Sequence, residues 1–133
     1  MGRPGAEGFV LIDTRTRVLV VDDDLAVRDS LKFALETEGL AVETYASGRQ
    51  MFAAASAAGA DCLVLDYKMP EMDGFAVMEE LAARKIALPV ILITAPVTDA
   101  IRHRAQKAGV FNLLEKPLLD GTLAETIRQA IAA

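Results

Sequence analysis

The sequence predicts an α/β fold, a five-stranded parallel sheet with helices on both faces. Three observations predict it. Apolar runs that read as strands recur five times along the 133 residues. A segment with helical periodicity or helix-compatible composition comes after each run. The loops between them are short, and that alternation is built by right-handed strand-helix-strand crossovers.

Residues 1–8, "MGRPGAEG", hold three Gly and one Pro and read as a tail. "FVLID", 9–13, is apolar, and its place stays open between an extra turn, an edge strand and packing on the core. "RVLVVD", 17–22, is a continuous β-branched run, as in a strand buried on both faces. Residues 24–38 carry Val27, Leu31, Ala34 and Leu35 at helical spacing, and Gly39 ends that helix. "LAVETYA", 40–46, alternates like a strand. Ser47 caps an Ala-rich helix over 48–58 that Gly59 closes. "DCLVLD", 61–66, is a second buried strand, and "YKMPEMDG" a loop. Phe75, Val77, Met78, Leu81 and Ala82 mark a helix over 73–85. "LPVILITA", 88–95, is the most apolar strand. A polar helix over 98–108 ends at Gly109, and "VFNLLEK", 110–116, is the last strand. Asp120 caps a final helix over 121–132.

The length suits one domain, read as residues 17–133 behind an N-terminal tail or extension over 1–16. A net charge of -5 argues against this domain gripping nucleic acid directly. The single cysteine, Cys62, leaves no internal disulfide and sits mid-strand, as a core residue does. No apolar run is long enough to span a membrane, and the N-terminus lacks the apolar centre of a signal peptide. The expectation is a cytoplasmic protein without membrane contact.

In open parallel sheets, ligands bind beyond the carboxyl ends of the strands. Asp22, Asp23 and Asp24 end the first strand, Asp66 the third, Thr94 the fourth and Lys116 the fifth, so all are expected in one crevice. Clustered carboxylates repel, by about 4 kcal/mol for a close pair at an effective dielectric near 20. Hard oxygen donors of this kind suit Mg²⁺ or Mn²⁺. A single strand-end Asp is usually only a solvated cap, but convergence with Lys116 and Thr94 points to a site. Lys116 fits a salt bridge or a phosphoryl partner. Thr94 alone would be a β-branched strand residue, and beside an anion site it becomes a phosphate ligand. No Gly-rich phosphate loop comes after the first strand, which disfavours nucleotide binding, and no nucleophile elbow exists. Arg102, His103, Arg104 and Lys107 read as a solvated helix face.

From residue 17 to about 131 the chain resembles the response-regulator receiver domain of two-component signalling. The pair Asp22-Asp23, "LVLDYKMPEMDG", the strand-end Thr94 and "EKP" stand in that family's order and near its spacing. "VVDDDLAVRDSL" and "CLVLDYKMPEMDGFAVMEEL" resemble in particular the branch of nitrogen-fixation transcriptional regulators. The resemblance implies a flavodoxin-like (βα)5 fold and a signalling module rather than an enzyme. It implies that Asp66 accepts a phosphoryl group from a sensor histidine kinase. Asp23, Asp66 and the Lys68 backbone carbonyl would coordinate Mg²⁺, with Asp22 helping through water. Lys116 and Thr94 would bind the phosphoryl oxygens, and the Lys116-Pro117 peptide would be cis. Implied partners are the kinase and either a DNA-binding output domain past residue 133 or a downstream protein. A homodimer over residues 101–131, with Arg102, Arg104, Glu125 and Arg128 for ion pairs, is a further option.

Two positions depart from the family pattern. Leu113 stands where an aromatic switch residue is usual, and alternation puts Phe111 on the same face as a partial substitute. Pro96 stiffens the loop "TAPVTD" and removes a donor. Two other readings stay open. One is a pseudo-receiver that binds partners without phosphorylation. The other is a Mg²⁺-dependent aspartyl phosphatase of the haloacid-dehalogenase type, which would call for a second acid two residues past Asp66, where Lys68 stands.

Overall fold

The computed structural model describes residues 15–118 and 121–133. Five strands alternate with five helices: β1 Arg17–Val21, α1 Leu25–Thr37, β2 Ala41–Tyr45, α2 Gly48–Ala53, β3 Cys62–Asp66, α3 Gly74–Ala83, β4 Val90–Thr94, α4 Asp99–Ala108, β5 Asn112–Glu115 and α5 Thr122–Ala132. All strand pairs are parallel, in the order β2-β1-β3-β4-β5. This is the flavodoxin-like order, whose topological switch lies between β1 and β3.

The two-residue period of a strand explains why the β1, β3 and β4 runs are apolar throughout. Val18, Val20, Cys62, Val64, Ile91 and Ile93 face one core with Leu35, Leu123 and Ile127 of α1 and α5. Leu19, Val21, Leu63, Leu65 and Leu92 face the other with Met51, Phe75, Val77, Leu81 and Ala105 of α2, α3 and α4. Both faces are covered, so no polar alternation survives. Cys62 is fully buried, and burial pushes its thiol up to about 12. A thiolate is the reactive form. The folded protein is therefore expected to resist iodoacetamide at neutral pH and to react once unfolded in urea, as read by intact mass. Labelling at the rate of a free thiol without denaturant would contradict this burial.

The helix signals act as expected at several ends. The Ser47 hydroxyl accepts the Gln50 N–H. Gly109 caps α4 at φ 81°, a left-handed conformation that costs Gly little. Other expectations change. α2 stops at Ala53 rather than 58, and Ala55 has φ 56°. Beyond it the Ser56 carbonyl accepts from Arg17, its hydroxyl bonds Tyr45, and Ala57 is buried. Those tertiary bonds outweigh the helix propensity of the Ala run. Gly59 consequently lies in a later turn, not at the helix end. The N-cap of α5 is Gly121, with no side-chain cap. The expectations for "FVLID" and Asp120 lie outside the described residues.

Candidate functional site

The three consecutive aspartates separate into three roles. β1 ends at Val21, and Asp22 extends its line by one residue, donating its N–H to the Tyr45 carbonyl at 3.1 Å. Asp22 is 3% exposed. Its Oδ1 accepts the Asp24 N–H at 2.9 Å, and its carbonyl accepts from Arg28 Nη1 at 2.7 Å. Asp23 is exposed at the crevice mouth. Asp24 does not join the crevice, contrary to expectation. It is the N-cap of α1, and its carboxylate accepts from Ala26 and Val27. The backbone turns from strand to helix here, and a carboxylate is more stable on those orphan N–H groups than beside its neighbours.

β1 and β3 are neighbours in register, Val21 opposite Leu65, so Asp22 and Asp66 come side by side. One carboxylate oxygen from each of Asp22, Asp23 and Asp66 lies within 4.8 Å of the others. Lys116 Nζ, from the end of β5, sits 3.2 Å from Asp22 Oδ2 and 3.2 Å from Asp66 Oδ1. Burial, then the Asp22 charge, push the Asp66 carboxyl above the ordinary carboxylate range against the pull of Lys116. Burial alone would lower Lys116. The hydrogen bond to Asp22 and the charges of Asp66 and Asp22 outweigh it and hold the ammonium above its ordinary value.

Thr94 is 1% exposed. Its carbonyl accepts the Lys116 N–H at 2.8 Å, while its hydroxyl is buried without a hydrogen-bond partner among the described residues. Such an orphan is uncommon. Lys68 lies two residues past Asp66 and is exposed, with its ammonium 3.4 Å from the Ala95 carbonyl. Gly74 closes the loop after β3. A Cβ there would stand 2.8 Å from Leu92 Cδ1 and 3.1 Å from the Asp66 carbonyl oxygen, so a larger residue would force Leu92 or the backbone at Asp66 to shift. The Lys116-Pro117 peptide is cis, and so is Ala95-Pro96.

Leu113 is half-buried among the α3-side core residues. Phe111 does not stand in for it. It precedes β5, is 39% exposed, and donates its N–H to Val90, whereas Thr94 pairs with Glu115. Four residues of strand, about 13 Å, separate it from Thr94. Arg102, His103, Arg104 and Lys107 are all exposed as expected, and the Arg104 guanidinium also lies 4.2 Å over the Phe75 ring. Two polar contacts escape sequence reading. Arg28 supports Asp22, and Glu115 accepts the Val97 N–H at 2.8 Å. A basic residue in the second turn after an acidic strand end was the available signal for Arg28. Nothing in the local pattern marks Glu115.

Among the described residues, no helix is long and apolar enough to cross a membrane. The profile of the family described as "Response regulator receiver domain" matches residues 18–128. The chain is 36% identical over 118 residues to the C4-dicarboxylate transport transcriptional regulatory protein DctR of Rhodobacter capsulatus, covering 87% of this chain and 60% of that one. It is 36% identical over 114 residues to the transcriptional regulatory protein FixJ of Azorhizobium caulinodans, covering 86% and 54%. The chain thus spans little more than half the length of these two curated relatives. The crystal structure of FixJ-N superposes with a TM-score of 0.80 at 33% identity, covering 92% of this chain and 96% of that one. With a matched profile over most of its length and that sheet order beneath it, this chain belongs to the response regulator receiver domain family, with nitrogen-fixation regulators among its relatives.

Proposed function

We propose that the chain is a phosphoacceptor whose Asp66 takes a phosphoryl group from a sensor histidine kinase. The observation that carries this reading is Lys116 bridging Asp22 and Asp66 inside a three-carboxylate crevice beside an unpartnered Thr94 hydroxyl. An Asp66 oxygen supplies the electron pair of the new P–O bond. The P–N bond to the kinase imidazole breaks, and its electron pair stays on that nitrogen. Lys116 holds the reacting oxygen and meets the incoming phosphoryl charge. Thr94 offers its hydroxyl to a phosphoryl oxygen.

The donor set fits Mg²⁺ or Mn²⁺. It is all oxygen, and one ammonium against three carboxylates leaves two negative charges to balance. Asp22, Asp23, Asp66 and the Lys68 carbonyl would hold the ion. When bound, it would neutralise charge on the transferring group. The transcriptional relatives support a DNA-binding output domain or a downstream protein as the receiver of the signal. A homodimer over residues 101–131 and a cytoplasmic setting belong to the same proposal.

The test is intact mass after incubation with acetyl phosphate and Mg²⁺. The expected result is a phosphate-sized gain that requires the metal. No gain, together with no thermal shift from Mg²⁺ and beryllofluoride, would leave the pseudo-receiver. Sustained release of phosphate from generic esters would favour the phosphatase.

A further inference from the structure

The end of β4 at Thr94 and the loop from Ala95 to Thr98 are tied to neighbouring residues at three points. The Lys116 N–H donates to the Thr94 carbonyl at 2.8 Å. The Lys68 ammonium lies 3.4 Å from the Ala95 carbonyl. The Glu115 carboxylate accepts the Val97 N–H at 2.8 Å. These ties differ in kind. The first continues the β4-β5 ladder and moves with the sheet. The second is long for a hydrogen bond. The third is short and charge-assisted, and it comes from a side chain that can let go.

The start of α4 makes the third tie consequential. Thr98, next to Val97, is the N-cap of α4, its hydroxyl accepting the Ile101 N–H at 3.1 Å. The position of Val97 therefore sets where α4 begins. On the other side, Glu115 is joined directly to Lys116, whose ammonium touches both Asp22 and Asp66. Leu113, at the place that resembles the aromatic switch, has no side-chain group to hydrogen-bond the loop.

We infer that Glu115 is a latch. It holds the β4-α4 loop and the start of α4 in the unphosphorylated position. Phosphorylation of Asp66 draws Lys116 toward new charge, shifts the end of β5 and releases Val97. Glu115 is a positioning residue and touches no reacting atom. The release step rests on the phosphoacceptor proposal, whereas the holding step does not.

Amide hydrogen exchange at Val97 through Ile101 tests both steps in wild type, Glu115→Ala and Glu115→Gln, with intact mass measured in the same samples. Without phosphodonor, Glu115→Ala should speed Val97 exchange by about tenfold, the loss of one hydrogen bond to a charged group. Glu115→Gln, which keeps a neutral acceptor, should fall between. Ile91–Ile93 should not change, which separates a latch from general destabilisation. With acetyl phosphate and Mg²⁺, wild-type Val97 should reach the exchange rate of Glu115→Ala, and that variant should gain mass without exchanging faster. Unchanged Val97 exchange in Glu115→Ala overturns the latch. Full Val97 protection in phosphorylated wild type overturns release. If no variant gains mass, the phosphoacceptor reading falls and release with it, and the unphosphorylated comparison still decides whether Glu115 holds the loop.

Discussion

Asp66→Asn is expected to abolish phosphate uptake and, with no metal added, to raise the melting temperature. The first effect is a matter of chemistry. A carboxamide has no anionic oxygen to form the P–O bond. The second comes from the crevice. Burial and the Asp22 charge oppose ionised Asp66 more than Lys116 favours it, so the fold accommodates the charged carboxylate less well than the unfolded chain does. The sign is then determined. A carboxyl whose folded value is raised adds stability that is complete below its ordinary value and is lost as pH rises through the raised one. Asn is neutral at every pH and keeps Asp66's shape. The melting-temperature gap between variant and wild type should therefore open as pH rises just above the ordinary carboxylate range and narrow below it. A gain of about 1 kcal/mol corresponds to about 3–6 °C for a domain of this size. Calorimetry across pH, alongside intact mass with acetyl phosphate and Mg²⁺, reads both effects. Phosphate on the variant would move the acceptor to another carboxylate. A lower melting temperature would mean that the Lys116 bridge outweighs the repulsion.

Lys116→Ala should have the largest effect on stability. Asp22 and Asp66 keep side-chain exposures of only 4% and 6%, and Lys116 is the cation between them. Removing it leaves two buried carboxylates facing each other within 4.8 Å. A fully buried pair broken in this way costs about 3–5 kcal/mol. Lys116 retains 30% exposure, so about 2–3 kcal/mol is expected in metal-free protein at neutral pH. Urea titration should show a lower midpoint with an unchanged slope. Mg²⁺ at ten times its dissociation constant should return about 1.4 kcal/mol. On an Asp66→Asn background the same substitution should cost much less, since one of the two repelling charges is gone. Equal losses on both backgrounds would mean that Lys116 acts through packing rather than charge.

The sequence offered Lys116 a salt bridge in the crevice, but not its two partners or how deeply they are buried. The runs of β1, β3 and β4, the Ser47 and Gly109 caps and the strand-end acids were legible, because each depends on neighbours within a few residues. Parallel strand order then came from alternation and short loops, and with it the expectation that Asp22, Asp66, Thr94 and Lys116 end at one edge. What the sequence could not distinguish were like residues with different partners. Asp22, Asp23 and Asp24 are chemically identical, and only the turn from β1 into α1 makes one an ion-pair partner, one an exposed crevice acid and one a helix cap. Phe111 and Leu113 share a strand parity, yet β5 starts between them and leaves Phe111 at the far end. The Ala run after Ser47 has helix propensity to spare, but Ser56 is claimed by Arg17 and Tyr45 from other elements. Lys116 meets Asp22 across 94 residues of chain. By itself the sequence determined the elements, their order and the acids at the strand ends. The tertiary structure decided which charges touch, because propensity acts over a few residues while an ion pair depends on where the whole sheet sets two distant side chains.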